Sequence, residues 1–363
     1  MQPLLLLAVL FLAATNGAND NFKGVAALYG SGRAGYWTSL AWGSLTTLAG
    51  SLCSVFLAQA LLRAFTGAGL VPAAVAAQLP FASAVAGGAA ITVALAAWRG
   101  LPISTTHALV GAMSGVGLVA VGTAVRFSTL GHSFLLPLLA SPVLAVVPAL
   151  ALAPLLRRLV ARATVAPACV CEAPLPLATP DSAMLRTAMP VVVSGTTAEC
   201  EAAGARRVLR LDARGAVDGL LFLFGGAASF ARGLNDTPKI AALLLPVAAL
   251  DGGGAVLAVG AAMLVGGLLG ARRVARTMSE KITRLDLGAA LAASATTGLL
   301  VGTASFNGLP VSTTHVSVGA LAGTGLAGGA GIDRKVIGGI VLSWLVTLPA
   351  GAAFGALIYL LLH

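Results

Sequence analysis

The sequence predicts an all-α integral membrane fold of two inverted repeats, each of about five transmembrane segments, with broken helices at the binding site. Three observations carry this reading. The chain is 58% hydrophobic and only 9% charged. Two pairs of closely similar motifs recur in the same order. The basic residues crowd the connections on one side of the proposed crossings.

A soluble domain carries about a quarter charged residues, so this chain has too few polar groups to wet a surface and its solvent is lipid. Charge-free stretches run from Arg33 to Arg63, Arg63 to Arg99, Arg126 to Arg157 and Asp286 to Asp333. A span needs roughly 20 apolar residues, so each stretch holds at least one span and the last holds two. The 45 glycines fit helices packed closely through small side chains. The net charge of +10 would suggest nucleic acid in a soluble protein. Here the basic residues sit in a few connections, as the positive-inside rule expects, and no aromatic-basic face exists for bases to stack on. Cys53 lies in a span; Cys169, Cys171 and Cys200 lie in the middle segment at no zinc spacing, and read as structural or incidental thiols. The apolar N-terminus lacks a positive leader region and reads as the first half of a transmembrane helix.

The repeat is explicit. GLPISTTHALVGAMSGVG from Gly100 and GLPVSTTHVSVGALAGTG from Gly308 agree at twelve of eighteen positions, at an offset of 208. Upstream, GANDNFKGVAA from Gly17 pairs with GLNDTPKIAAL from Gly233, at an offset of 216. Equal order and nearly equal offset indicate duplication. The chain divides into an N-terminal transmembrane repeat (1–156), a polar cytoplasmic connector (157–215) rich in proline and holding five of the twelve acidic residues, and a C-terminal transmembrane repeat (216–363). The crossings expected are 3–30, 36–62, 81–98, 101–122 and 133–156, then 217–247, 253–270, 287–304, 309–328 and 336–361. With the connector inside, the connections at Arg33, Arg99, 271–285 and Arg334–Lys335 fall inside, and those at Arg63, Arg126 and Asp251 outside. Five crossings per half is odd, which inverts the halves and places both termini outside. Inverted repeats with broken helices are a transporter architecture.

Asp20 and Asp236 are repeat mates and the two acidic residues that sit well inside hydrophobic spans. A carboxylate at that depth costs at least about 2.5–3.5 kcal/mol, so it needs a partner cation or a proton, or serves as a helix cap. The Pro-x-Ser-Thr-Thr-His motif puts Pro102 and Pro310 where a missing N–H is harmless. Ser104, Thr105, Thr106 and Ser312, Thr313, Thr314 then stand beside the free N–H groups of a helix start, an arrangement that suits an oxyanion. The bland alternative is that these hydroxyls bond their own helix turn. His107 and His315 read as braces bonded to backbone carbonyls, with a proton relay as the other reading.

The paired Gly-x-Asn-Asp and Pro-x-Ser-Thr-Thr-His motifs resemble those of the inorganic phosphate transporter family, over both halves and nearly the whole chain except the middle segment. The resemblance implies movement of phosphate with sodium or protons. It implies phosphate contacts near Ser104, Thr105, Thr106, Ser312, Thr313 and Thr314, and ion coupling near Asn19, Asp20, Asn235 and Asp236. Some relatives carry sulfate. The family pattern continues Asn-Asp-x-x-Asn, whereas this chain has Lys23 and Lys239 in that place, two of its four lysines. Each stands three residues after its aspartate, and an ammonium there would replace a bound sodium; the alternative is that each snorkels to the interface.

The expected partners are therefore inorganic phosphate or sulfate, a coupling proton or sodium, the lipid bilayer and a second copy of the chain, with no nucleic acid. No cofactor is expected beyond a bound sodium, with no catalytic residue or structural metal. The chain is expected to be a multi-pass protein of a bacterial inner membrane and not an enzyme. A sulfate permease of the same fold is the nearest alternative. An intramembrane aspartyl protease would also need two buried acids, but its Tyr-Asp and Gly-x-Gly-Asp contexts surround neither Asp20 nor Asp236. A structural scaffold leaves the repeated polar motifs unexplained.

The topology is directly testable. The connection at 271–285 carries five basic residues and its repeat equivalent at 63–80 carries one. Single cysteines placed in the two loops should be labelled from opposite faces of the membrane. Modification of both from the same face would refute the inversion.

Overall fold

The computed structural model describes residues 1–67, 69–163, 168–174, 190–196, 206–211, 213–247, 252–328 and 331–363. The N-terminal half holds α1 (Gln2–Asp20), α2 (Ala26–Gly30), α3 (Tyr36–Leu57), α4 (Leu79–Arg99), α5 (Thr105–Val121) and α6 (Leu136–Ala163). A three-stranded antiparallel sheet follows, β1 (Ala168–Pro174) between β2 (Pro190–Thr196) and β3 (Arg206–Leu211). The C-terminal half holds α7 (Ala213–Ala241), α8 (Gly252–Gly270), α9 (Leu287–Phe306), α10 (Thr313–Leu326) and α11 (Arg334–Leu361). The expected connector thus carries a small sheet. The side chains of Cys169, Cys171 and Cys200, and the connection at Asp251, lie outside what is described.

Among the described residues, nine helices are long and apolar enough to cross a membrane. Leucines and valines such as Leu139, Val143, Val147, Leu342, Leu345 and Leu357 are exposed on their outer faces. Lipid accepts such faces, because helices satisfy their backbone groups internally. The expected crossing at 309–328 is a shorter helix. α10 has 14 residues, about 21 Å at 1.5 Å per residue, against a hydrocarbon core of about 30 Å. Its first residues are extended instead, because Pro310 and the Ser312 cap delay the helix.

The two halves pack as images of one another. α3 lies on α7, and its mate α8 lies on α1; α4 lies on α1 as α9 lies on α7; α11 lies on α4 and α5 as α6 lies on α9 and α10. Direction follows from residue pairs. Gly266 faces Ala14 and Gly270 faces Ala18, so α1 and α8 are parallel. Trp42 Nε1 donates to Phe222 O and Thr237 Oγ1 donates to Ser51 Oγ, so α3 and α7 are parallel. Asn21 meets Ser44 and Tyr29 meets Tyr36, so α3 runs back against the first helix. Asn16 and Asn21 meet Arg232 while Gly24 lies against Ser229, so the chain from α1 towards α2 and its mate α7 run oppositely, as inverted repeats would.

Small residues permit this packing. A Cβ on Gly17 would lie 2.0 Å from Met263 O, on Gly266 1.9 Å from Ala14 O, and on Gly50 2.0 Å from Phe230 O. Lipid tails supply no hydrophobic drive between helices, so close backbone approach is what holds them. Two apolar clusters result, one including Leu12, Phe65, Phe81, Val110, Ile240 and Val259, the other Phe22, Leu40, Val274, Leu291, Val316 and Trp344. The buried polar residues of both repeated motifs lie at their junction.

The close contacts make a prediction. Gly266→Val should lower thermal stability in detergent by about 1–3 kcal/mol, the usual cost of overpacking. Gly338→Ala, where nothing lies within 4 Å of the added atom, should leave the melting curve in place.

Candidate functional site

The site is built by two extended segments that turn back into the protein. α4 ends on Gly100 in the left-handed region (φ 70), and Gly308 after α9 has φ 68. Glycine carries this conformation without a Cβ penalty. Ser104 and Ser312 then cap α5 and α10, their hydroxyls accepting from His107 N at 3.1 Å and His315 N at 3.2 Å. The first segment is pinned from outside. Thr277 Oγ1 donates to Gly100 O at 2.8 Å, and Trp344 Nε1 donates to Pro102 O at 3.2 Å. Both helix starts are buried together, with Thr105, Thr106, Thr313 and Thr314 at most 4% exposed.

Each helix start meets the Asn-Asp-x-x-Lys motifs. α1 stops at Asp20, and Lys23 N donates to Asp20 O in a turn before α2. α7 does not break: it runs through Pro238 to Ala241 and closes in a 3₁₀ turn. The expected broken helix is therefore present in the first half and replaced by a proline-bearing continuous helix in the second. Four oxygens lie within hydrogen-bond reach of the Lys23 ammonium and share its three protons: Asp20 Oδ1, Asn19 Oδ1 at 2.9 Å, Ile103 O at 2.9 Å and Thr314 Oγ1 of the other half. Lys239 Nζ repeats this by symmetry. It donates to Val311 O at 2.8 Å and Thr106 Oγ1 at 2.9 Å, and lies 3.6 Å from Asp236 Oδ1. The Phe65 ring, 5.7 Å away, closes its remaining side. Neither lysine snorkels; both are at most 4% exposed.

A third buried cation was not singled out from the sequence. Arg232 is 2% exposed, donates to Asn21 Oδ1 at 3.0 Å and to Asn16 Oδ1, and its Nε lies 3.5 Å from Asp236 Oδ2. Asn16, its repeat mate, also donates to Thr105 Oγ1 at 2.9 Å and Asp20 Oδ2 at 3.3 Å. The available signal was an arginine four residues before Asp236 within an apolar run. Asp20, Asp236, Lys23, Lys239 and Arg232 are all at most 4% exposed. With two carboxylates against three cations, the centre has a formal excess of one positive charge when each group holds its ordinary charge.

The structure links most residues singled out for the site; Thr105 joins through Asn16, and the bonds of Ser104 and Ser312 are to their own helix starts. Asn19 holds the first segment, donating to Leu101 O at 2.9 Å and accepting from Ile103 N at 3.2 Å. Asn235 donates to Val311 O at 3.2 Å. Thr313 Oγ1 donates to Asp236 Oδ2 at 3.4 Å, Thr314 Oγ1 to Ile103 O at 2.5 Å, and Thr106 Oγ1 to Val311 O at 3.4 Å. Ser104 and Ser312 spend an acceptor site on their own helices, the bland role considered for them. His315 Nδ1 lies 2.9 Å from Leu138 O, the bracing bond expected. His107 differs: among the described residues its Nδ1 has no hydrogen-bond partner, and its ring packs 4.7 Å from that of His315.

The sequence pattern of the phosphate transporter family matches residues 16–355. The low-affinity inorganic phosphate transporter PitB of Escherichia coli (strain K12) is 43% identical over 97 residues, 26% of this chain and 19% of that protein. PitA of the same organism is 39% identical over 106 residues, 29% and 21% of the two chains. A putative phosphate permease of Haemophilus influenzae is 36% identical over 157 residues, 40% and 37% of the two. The matched stretch thus spans about a fifth to over a third of these relatives' own lengths. A solved structure described as the sodium-dependent phosphate transporter shares the fold, with a TM-score of 0.75 and 21% identity over 99% of this chain and 98% of that one.

The paired charges predict a stability pattern. Asp20→Asn leaves the Lys23 ammonium without its carboxylate and should cost about 3–5 kcal/mol, as for other broken buried pairs. Asp20→Asn combined with Lys23→Met should recover part of that loss in thermal unfolding. A double variant no more stable than the single one would show that the pair is not coupled.

Proposed function

The chain belongs to the phosphate transporter family, and from that premise we propose that it carries inorganic phosphate across the cell membrane as a secondary symporter, driven by a proton or sodium gradient. The observation that carries this reading is the meeting of two hydroxyl-rich helix starts, one from each inverted half, at a buried centre with an excess positive charge. An oxyanion presents acceptor oxygens on all sides. Threonine hydroxyls, helix-start N–H groups and ammonium protons are all donors. In a site of low dielectric their attraction for an anion is strong.

The inverted pairing supplies the means of transport. Two halves that pack as images can rock about a fixed centre and expose it to each side in turn. Phosphate is favoured over sulfate because carboxylates stand beside the site, and phosphate can donate a proton to them where sulfate cannot. The protease reading gains nothing from the geometry, since Asp20 and Asp236 each face a lysine rather than sharing a proton. A second copy of the chain is the one protein partner in this reading.

Purified protein in liposomes should accumulate labelled phosphate, with unlabelled sulfate competing weakly. Thr105→Val and Thr313→Val keep the shape and remove a donor, and each should weaken apparent affinity about ten- to a hundredfold, or 1.5–3 kcal/mol. Sulfate uptake without phosphate uptake would retire the cargo assignment. Unchanged affinity in both variants would return the hydroxyls to a structural role.

A further inference from the structure

We propose that Lys23 and Lys239 are the site's own cations: each ammonium fills the place a dissolved alkali cation would take beside its aspartate, so the centre binds a monovalent oxyanion without sodium. This rests on the reading of the centre as an anion-carrying site.

The groups around Lys23 Nζ are the first support. All four are oxygens turned to accept: the Asn19 amide oxygen, an Asp20 carboxylate oxygen, the Ile103 carbonyl and the Thr314 hydroxyl. Their orientations are fixed elsewhere. The Asn19 amide nitrogen donates to Leu101 O and the Thr314 hydroxyl donates to Ile103 O. A carboxylate, an amide oxygen, a hydroxyl and an unwound backbone carbonyl are also the ligand types that hold a sodium ion at a helix break. Here the +1 charge at their focus is tethered to the chain.

The second support is duplication with exchange. Each lysine bonds a carbonyl of its own half's extended segment, Ile103 or Val311, and a threonine of the opposite half, Thr314 or Thr106. The ammonium therefore stands between the carboxylate and the hydroxyls assigned to the anion. It neutralises the one and adds a donor toward the other.

The third support is charge. Both carboxylates already have a partner inside the protein, Asp20 with Lys23 and Asp236 with Lys239 and Arg232. A dissolved cation entering this centre would raise an excess of one positive charge to two. A monoanion such as dihydrogen phosphate would cancel it. A tethered cation cannot leave with the cargo, so anion binding needs no sodium.

The test is equilibrium binding of labelled phosphate to the purified full-length protein in sodium and in choline buffer, at mildly acidic pH where phosphate is a monoanion. Labelled sulfate, a dianion, runs in parallel. Wild-type Kd for phosphate should be the same in both buffers. Lys23→Asn and Lys239→Asn should each bind about tenfold or more weakly in choline, with sodium restoring part of the loss. Tightening of wild-type binding by sodium, in a saturable way, would overturn the proposal. So would variants that bind as wild type in choline, or that sodium does not rescue. The wild-type comparison decides even if a variant does not fold. Should sulfate bind and phosphate not, the cargo reading fails, and the sodium comparison is read on sulfate.

Discussion

The structure turns on two buried ammonium–carboxylate pairs, Lys23–Asp20 and Lys239–Asp236, held where the two halves meet. A charge in the membrane interior is costly, and a pair is tolerated only when the remaining donors and acceptors are satisfied. Neighbouring helices cannot meet that need, because their backbone carbonyls are already bonded. The extended segments at 100–104 and 308–312 provide unbonded carbonyls, at Ile103 and Val311, at the required depth. The proline, the serine cap and the left-handed glycine of each repeated motif follow from this need, because together they stop one helix, hold a short extended stretch and start the next.

The same pairs explain why neither half suffices alone. Lys23 reaches Thr314 and Lys239 reaches Thr106, so each half completes the other's charge site. Packing repeats this exchange on a larger scale, with α3 on α7 and α8 on α1. These contacts depend on glycines whose Cβ would strike a neighbouring carbonyl, as at Gly17 and Gly233. The polar centre and the close helix contacts therefore support one another: tight packing excludes water from the charges, and the charges fix the register of the packing.

Symmetry is broken where it matters to charge. At matched positions one half has Asn16 and the other Arg232, and the two bond each other across the centre. A strict duplicate would carry either two arginines or none. One arginine turns a balanced set of two pairs into a centre with a single positive excess. The backbone is asymmetric at the same level, with a break after Asp20 and a continuous helix through Pro238. The first half's turn is compact because Gly24 lies against Ser229, where a Cβ would come within 2.2 Å of its hydroxyl.

The sequence by itself determined the lipid environment, the duplication and most of the polar residues that the structure gathers at the buried centre. Each of these is a local property: hydrophobic runs long enough to span, motifs repeated at offsets of 208 and 216, and acids where apolar residues should be. It also identified Lys23 and Lys239 as departures from the motif, but left open whether they pair or snorkel. Only the tertiary structure decided that, because the choice depends on acceptors about 80 and 290 residues away, at Ile103 and Thr314. The role of Arg232 is hidden in the sequence for the same reason, since it comes from Asn16 and Asn21 in the other half. The small sheet of the middle segment, the 14-residue α10 and the differing fates of the two aspartate helices were likewise settled in three dimensions. A helix boundary inside a membrane is fixed by which partners take up the freed backbone groups, and those partners are distant in sequence.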